Sequence, residues 1–181
     1  MDNGKFTNMM IIVVSLIIGK LFAQFYITAP SYTTFTSDRG GYSVAIPDEN
    51  KSETQSLKMP FGELTVYTQY ARDRSLGLEF AASYCECPIL LATKAYDDLF
   101  ESMITSCVKE TKGALINSKK IEFKNNPGRE CTIKTSRNIR VIMKIYVVKD
   151  KVYQLFAYCH TADSGNKKIR DFFDSFNLVN I

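Results

Sequence analysis

Hydrophobic and polar positions fall into three kinds of pattern along this chain. The first is a continuous apolar run, Met9 to Ile18, reading MMIIVVSLII. Lys5 precedes it and the small residue Ala23 follows it. A charged start, a short apolar middle and a small-residue cleavage site are the layout of an export signal. A bilayer span needs roughly 20 apolar residues, about twice this run. Residues 1–23 therefore read as a signal peptide. If Lys20 snorkels and the run extends through Ile27, residues 9–27 read instead as an uncleaved anchor. Residues 24–33, with Pro30, read as an irregular lead-in, and 34–181 as a single domain.

The second pattern is alternation. Tyr42 to Pro47 is a short strand ended by proline. Asp48 to Ser56 is polar and reads as turn-like. Phe61 to Ala71 alternates Leu64, Val66, Thr68 and Tyr70 against Thr65, Tyr67 and Gln69, as a half-buried strand does. Leu76 to Cys87 is more apolar and is stopped by Pro88. Four later strands are expected at Ala114–Phe123, Arg129–Thr135, Ile139–Val148 and Lys151–His160. Asn125 to Gly128 punctuates the first two, and Lys149-Asp150 is a two-residue hairpin loop.

The third pattern has helical spacing. Ala92, Tyr96, Leu99, Met103 and Cys107 recur every three or four residues within Ile89–Thr111, opposite Lys94, Asp97, Asp98 and Glu101. Gly113 reads as its stop. A second helix is expected over Gly165–Phe176, capped by Asp163 or Ser164. Strands, a helix, more strands and a final helix, without a repeating strand–helix–strand unit, predict an α+β fold with an antiparallel sheet.

Composition changes this picture little. Ten Tyr and twelve Phe without Trp suit a strand-rich chain. Charge adds an asymmetry. Residues 24–108 carry 6 basic and 11 acidic side chains, a net of −5, and residues 109–181 carry 15 and 7, a net of +8. Such asymmetry can mark an anionic partner. No long basic run is present, so no nucleic-acid partner is expected, and a membrane partner only if the N-terminal segment stays uncleaved.

Several stretches together resemble PsbP-like domains, the superfamily of photosystem II extrinsic subunits and their bacterial relatives. They are Thr34 to Pro47, Phe61 to Tyr67, Asn126-Pro-Gly-Arg-Glu130, Val152 to Leu155 and Phe173 to Leu178. The resemblance implies an αβα sandwich, a central antiparallel sheet with helices packed on it. It also implies a mostly non-catalytic role as a protein-binding or envelope accessory module, without a cofactor. It supplies no catalytic motif. The chain departs from the pattern at Tyr84-Cys-Glu-Cys-Pro88.

That departure directs attention to the five cysteines, 85, 87, 107, 131 and 159. Export would expose them to oxidising conditions. Buried core thiols, one disulfide, or a thiol or metal site on Cys85 and Cys87 are the open readings, with His160 as the further candidate ligand. With hairpin turns at Lys149-Asp150 and near Arg137, strand register sets Phe156 against Met143 and Met143 against Cys131, which puts Cys159 on the opposite face from Cys131 and argues against a bridge between them. The same register places Lys134, Arg140, Lys144, Tyr146 and Tyr153 on one face, a candidate surface for a protein partner or an anionic surface. Arg129 and Glu130 read as structural ion-pair partners. A small-ligand carrier, with a cavity between the sheet and the Ile89–Thr111 helix, is a further alternative.

Overall fold

The computed structural model describes residues 29–59, 62–88 and 96–179. The expected export signal, and the expected start of the long helix at Ile89, lie outside the described residues. The fold is α+β and dominated by antiparallel sheet. A small sheet has the order β1-β2-β10, with β1 at Tyr32–Ser37, β2 at Tyr42–Pro47 and β10 at Asn177–Leu178. The main sheet has seven strands: β3 (Asn50–Met59), β4 (Gly62–Asp73), β5 (Leu78–Glu86), β6 (Gly113–Phe123), β7 (Asn126–Thr135), β8 (Ile139–Val148) and β9 (Lys151–His160). Their spatial order is β3-β4-β5-β9-β8-β7-β6, every pair antiparallel. The described helices are α1 (Tyr96–Thr111) and α2 (Lys167–Ser175).

The centre of the main sheet is buried on both faces. On one, Leu99, Phe100, Met103, Ile104 and Cys107 of α1 join Val141, Met143, Ile145, Val152 and Phe156 in a single cluster. On the other, Tyr42, Val44 and Ile46 of β2 and Ile169, Phe172, Phe173 and Phe176 in and after α2 cover Phe80, Tyr84, Tyr153 and Leu155. The second face is thus closed by a small sheet together with a helix. Double burial explains why β9 is apolar nearly throughout and β8 in most positions, whereas β4 alternates. In β9, Ser83 of β5 faces Gln154 across the pair, and both are fully buried without a hydrogen-bond partner. Such groups cost stability.

Several expectations need correction. Two strands occupy stretches read as irregular. β1 lies partly in the lead-in, because Thr, Tyr and Phe favour a pleated surface and β2 needs a partner. β3 occupies the polar stretch after Asp48. It is an edge strand, exposed along much of its length, so it needs no apolar face. The β6–β7 turn is Lys124-Asn125, both left-handed at φ 48° and 63°, and Asn126, Pro127 and Gly128 already belong to β7. Lys112, at φ 48°, ends α1 in place of Gly113. Asn166 caps α2, its side chain accepting from the Lys168 N–H at 2.9 Å, in place of Asp163 or Ser164.

Candidate functional site

The thiols come first, because the sequence singles them out. All five are buried thiols outside any disulfide. Cys85, Cys87, Cys107 and Cys131 lie in the cluster that α1 closes, and Cys159 lies on the opposite face, as the register requires. Burial pushes the Cys85 thiol up to about 12, with Cys87 and Glu86 adding to it. Burial likewise raises Cys131 to about 12, Cys107 further, and Cys159 to about 11, the last opposed by Arg140. A thiol held protonated and away from water is a poor nucleophile and a poor metal ligand. In a disulfide-exchange reagent at mildly alkaline pH, the native protein is expected to release no thiol within minutes, and all five after unfolding in guanidinium. One fast thiol in the native state would contradict this packing.

The candidate metal ligands are not brought together. Cys85 is opposite Val152 on β9, and His160 lies eight residues further along that strand. That is a separation of about 26 Å. Among the described residues no group of three or more His, Cys, Asp or Glu is placed to hold a metal ion.

The candidate basic and aromatic face does share one side of the sheet. Lys134 is opposite Arg140, and Tyr146 opposite Tyr153. The tyrosines, however, are core residues and present no surface to a partner. Tyr146 stacks on Phe176 at 5.7 Å, and the Tyr153 hydroxyl donates to the Gly40 carbonyl at 2.7 Å. The cations are tied to their surroundings as well. Arg140 Nη1 donates to Ser164 Oγ at 2.8 Å, and Lys144 Nζ sits 3.6 Å from Glu130 and over the Phe173 ring. Lys134 is exposed. Arg129 and Glu130 hold structure: Arg129 pairs with Asp97 at 2.8 Å and with Glu101 at 3.6 Å, joining β7 to α1, and Glu130 pairs with Lys119 at 2.9 Å.

A cleft of about 440 Å³ opens where α1 stops. The Thr111 hydroxyl donates to the Cys107 carbonyl at 2.7 Å, Lys112 turns left-handed, and β6 begins at once. Gly113 permits this tight exit, since a Cβ there would meet Ile133 Cγ2 at 2.6 Å. The sheet beyond the last helical turn is left uncovered. Its floor is one cross-strand row, Glu79 opposite Tyr158 and Tyr158 opposite Val141. Glu110 and Lys112 form one wall, and Arg137 and His160 line the cleft from the strand ends. Glu79 pairs with Arg72 at 2.5 Å, yet burial raises its carboxyl above the ordinary range, outweighing Arg72. The Tyr158 hydroxyl is buried without a hydrogen-bond partner. The cleft lies past the helix's C-terminal end and is not the cavity between helix and sheet considered from sequence, where the described part of α1 packs directly on the strands. No local motif marks it, because its walls come from four separate stretches.

No family model matches the sequence, and no curated protein matches it. Among solved structures, cyanobacterial PsbP from Synechocystis superposes with a TM-score of 0.58 at 11% identity, over 88% of this chain and 99% of that one. A Pseudomonas aeruginosa protein of unknown function gives 0.41 at 10% identity, over 77% of this chain and 90% of that one. Among the described residues no helix is long and apolar enough to cross a membrane. With β1 to β10 and both helices in place, the chain has a PsbP-like fold.

Proposed function

We propose that this protein is an exported, non-catalytic accessory module that docks on a protein partner. The likeness to PsbP, which spans 99% of that chain, carries this reading. It is supported by the use of the conspicuous charged and aromatic side chains for internal packing and ion pairs. Export rests on the apolar run Met9 to Ile18 before Ala23. Five buried thiols also suit an oxidising compartment, since none is offered to oxidants.

The docking surface best suited to such a partner is the free edge of β6. Among the described residues this strand pairs only with β7, and its residues 114–120 are all exposed. It carries Leu115 and Ile116, 43% and 53% exposed, at a register break, with Lys119 and Lys120 beyond them. An extended, acidic and apolar segment of a partner could add to this edge by main-chain hydrogen bonds. To test the proposal, C-terminally tagged protein is cross-linked in producing cells and isolated. Intact mass should show the loss of residues 1–23, and one stoichiometric partner should be captured and then lost in Ile116→Lys. A full-length mass, or a partner retained by that variant, counts against the corresponding half of the proposal.

A further inference from the structure

We infer that the partner segment taken by β6 sets a carboxylate opposite Ala114, within reach of Lys134, and apolar side chains beside Leu115 and Ile116. This rests on β6 being the docking edge and names what that edge selects: an extended protein segment with an acidic residue next to an apolar one, held at one register.

The lysines of β6 itself are already used. Lys119 pairs with Glu130 at 2.9 Å, and Lys120 with Asp97 at 2.8 Å. Lys134 of β7 is exposed and makes no ion pair with a described residue. Its cross-strand neighbours are Arg140 on one side and Ala114 on the other. Arg140 is itself a cation, and like charges opposite one another repel. Its Nη1 is turned to Ser164 Oγ at 2.8 Å. Ala114 is exposed and carries only a methyl group, which leaves the lysine stem room to lie across β6 toward the free edge. A strand added beyond β6 would lie two strand spacings from β7, about 10 Å. A lysine and a glutamate extended toward each other close that distance.

The other face of this edge is apolar. Leu115 stands opposite Ile133, which belongs to the cluster under α1, whereas Lys134 and Arg140 share the face of Cys159 and α2. Ile116 is the extra residue at the register break, without a partner on β7. The break thus presents two apolar side chains in succession on an exposed edge. Successive residues of an added strand point to opposite faces, so an acidic residue opposite Ala114 puts its neighbour beside Leu115. A slip of one residue would turn the carboxylate onto the apolar side and the apolar residue toward Lys134. The edge therefore selects register as well as composition.

The test uses the protein as isolated from producing cells. The probes are the peptide acetyl-Ser-Thr-Val-Glu-Val-Thr-Ser-amide and its twin with lysine in place of glutamate. Valine on both sides of the charge serves either strand direction. Titration at low ionic strength, followed by amide NMR, should give saturable shifts at Gly113 to Ser118 with the glutamate peptide. The lysine peptide should bind about tenfold more weakly, an attraction lost and a repulsion gained. Lys134→Glu should reverse the order of the two peptides, which a loss of folding cannot do. Lys119→Ala should keep the order, because that ammonium is taken up by Glu130. Failure of the wild type to prefer the glutamate peptide, an unchanged order in Lys134→Glu, or a preference lost in Lys119→Ala overturns the inference and leaves strand addition to β6 standing. No saturable shift along β6 at millimolar peptide overturns both.

Discussion

Phe172→Ala is expected to destabilise the protein by about 4 kcal/mol, the middle of the range for a buried phenylalanine. Phe172 is 1% exposed and packs its ring 4.9 Å from Phe80 and 5.1 Å from Phe173. It sits on α2, a helix of nine residues. A helix so short is not stable alone in water, so its helicity comes from docking. Its apolar stripe is Ile169, Phe172 and Phe173, continued by Phe176 just past its end. Removing the central ring leaves a cavity that the paired strands beneath cannot fill, and it loosens the cover over Phe80 and Tyr42. Equilibrium unfolding in urea, followed by circular dichroism, measures the loss. The thermal midpoint should fall by about 10 °C. Phe172→Leu keeps most of the volume and should cost less than about 1.5 kcal/mol. A loss below about 1 kcal/mol for the alanine variant would mean that α2 does not close this face.

How far the fold could be read in advance depended on where burial leaves a local trace. The β8–β9 hairpin was legible to the residue, since two apolar strands flank Lys149-Asp150 and the left-handed Lys149 makes the turn without a glycine. Its register followed from that loop, and with it the placing of Cys131 and Cys159 on opposite faces. β3 was not legible, because a polar edge strand carries no period-two signal. The face holding Tyr146 and Tyr153 was read correctly as one face. Its cover could not be foreseen, because β2 and Phe176 reach it from opposite ends of the domain. The cleft was hidden for the same reason. Glu79, Glu110, Arg137 and Tyr158 are far apart in sequence and meet only where the helix ends short of the sheet.

Gly128→Ala is expected to cost about 3 kcal/mol, as overpacking at a site that cannot yield does. Gly128 looks from sequence like a turn glycine after Asn125, Asn126 and Pro127. It lies instead within β7, buried and opposite Tyr146, and its φ is not among the positive ones. It is needed for space. A Cβ at this position would meet the Ile145 carbonyl oxygen at 2.6 Å and Tyr146 Cδ1 at 2.6 Å. The first is backbone of a strand paired on both sides. The second belongs to a ring held between Phe176 at 5.7 Å and Phe123 at 5.3 Å. Neither can move without opening the β7–β8 pair or the aromatic cluster under Phe176. Gly165→Ala is the matched control, because a Cβ there meets nothing within 4 Å. It should change stability by less than about 0.5 kcal/mol, with any gain coming from a stiffer unfolded chain. Denaturant midpoints of the two variants decide the matter. If Gly128→Ala unfolds at the midpoint of Gly165→Ala, Tyr146 is free to swing away, and the face it closes is open to a partner after all.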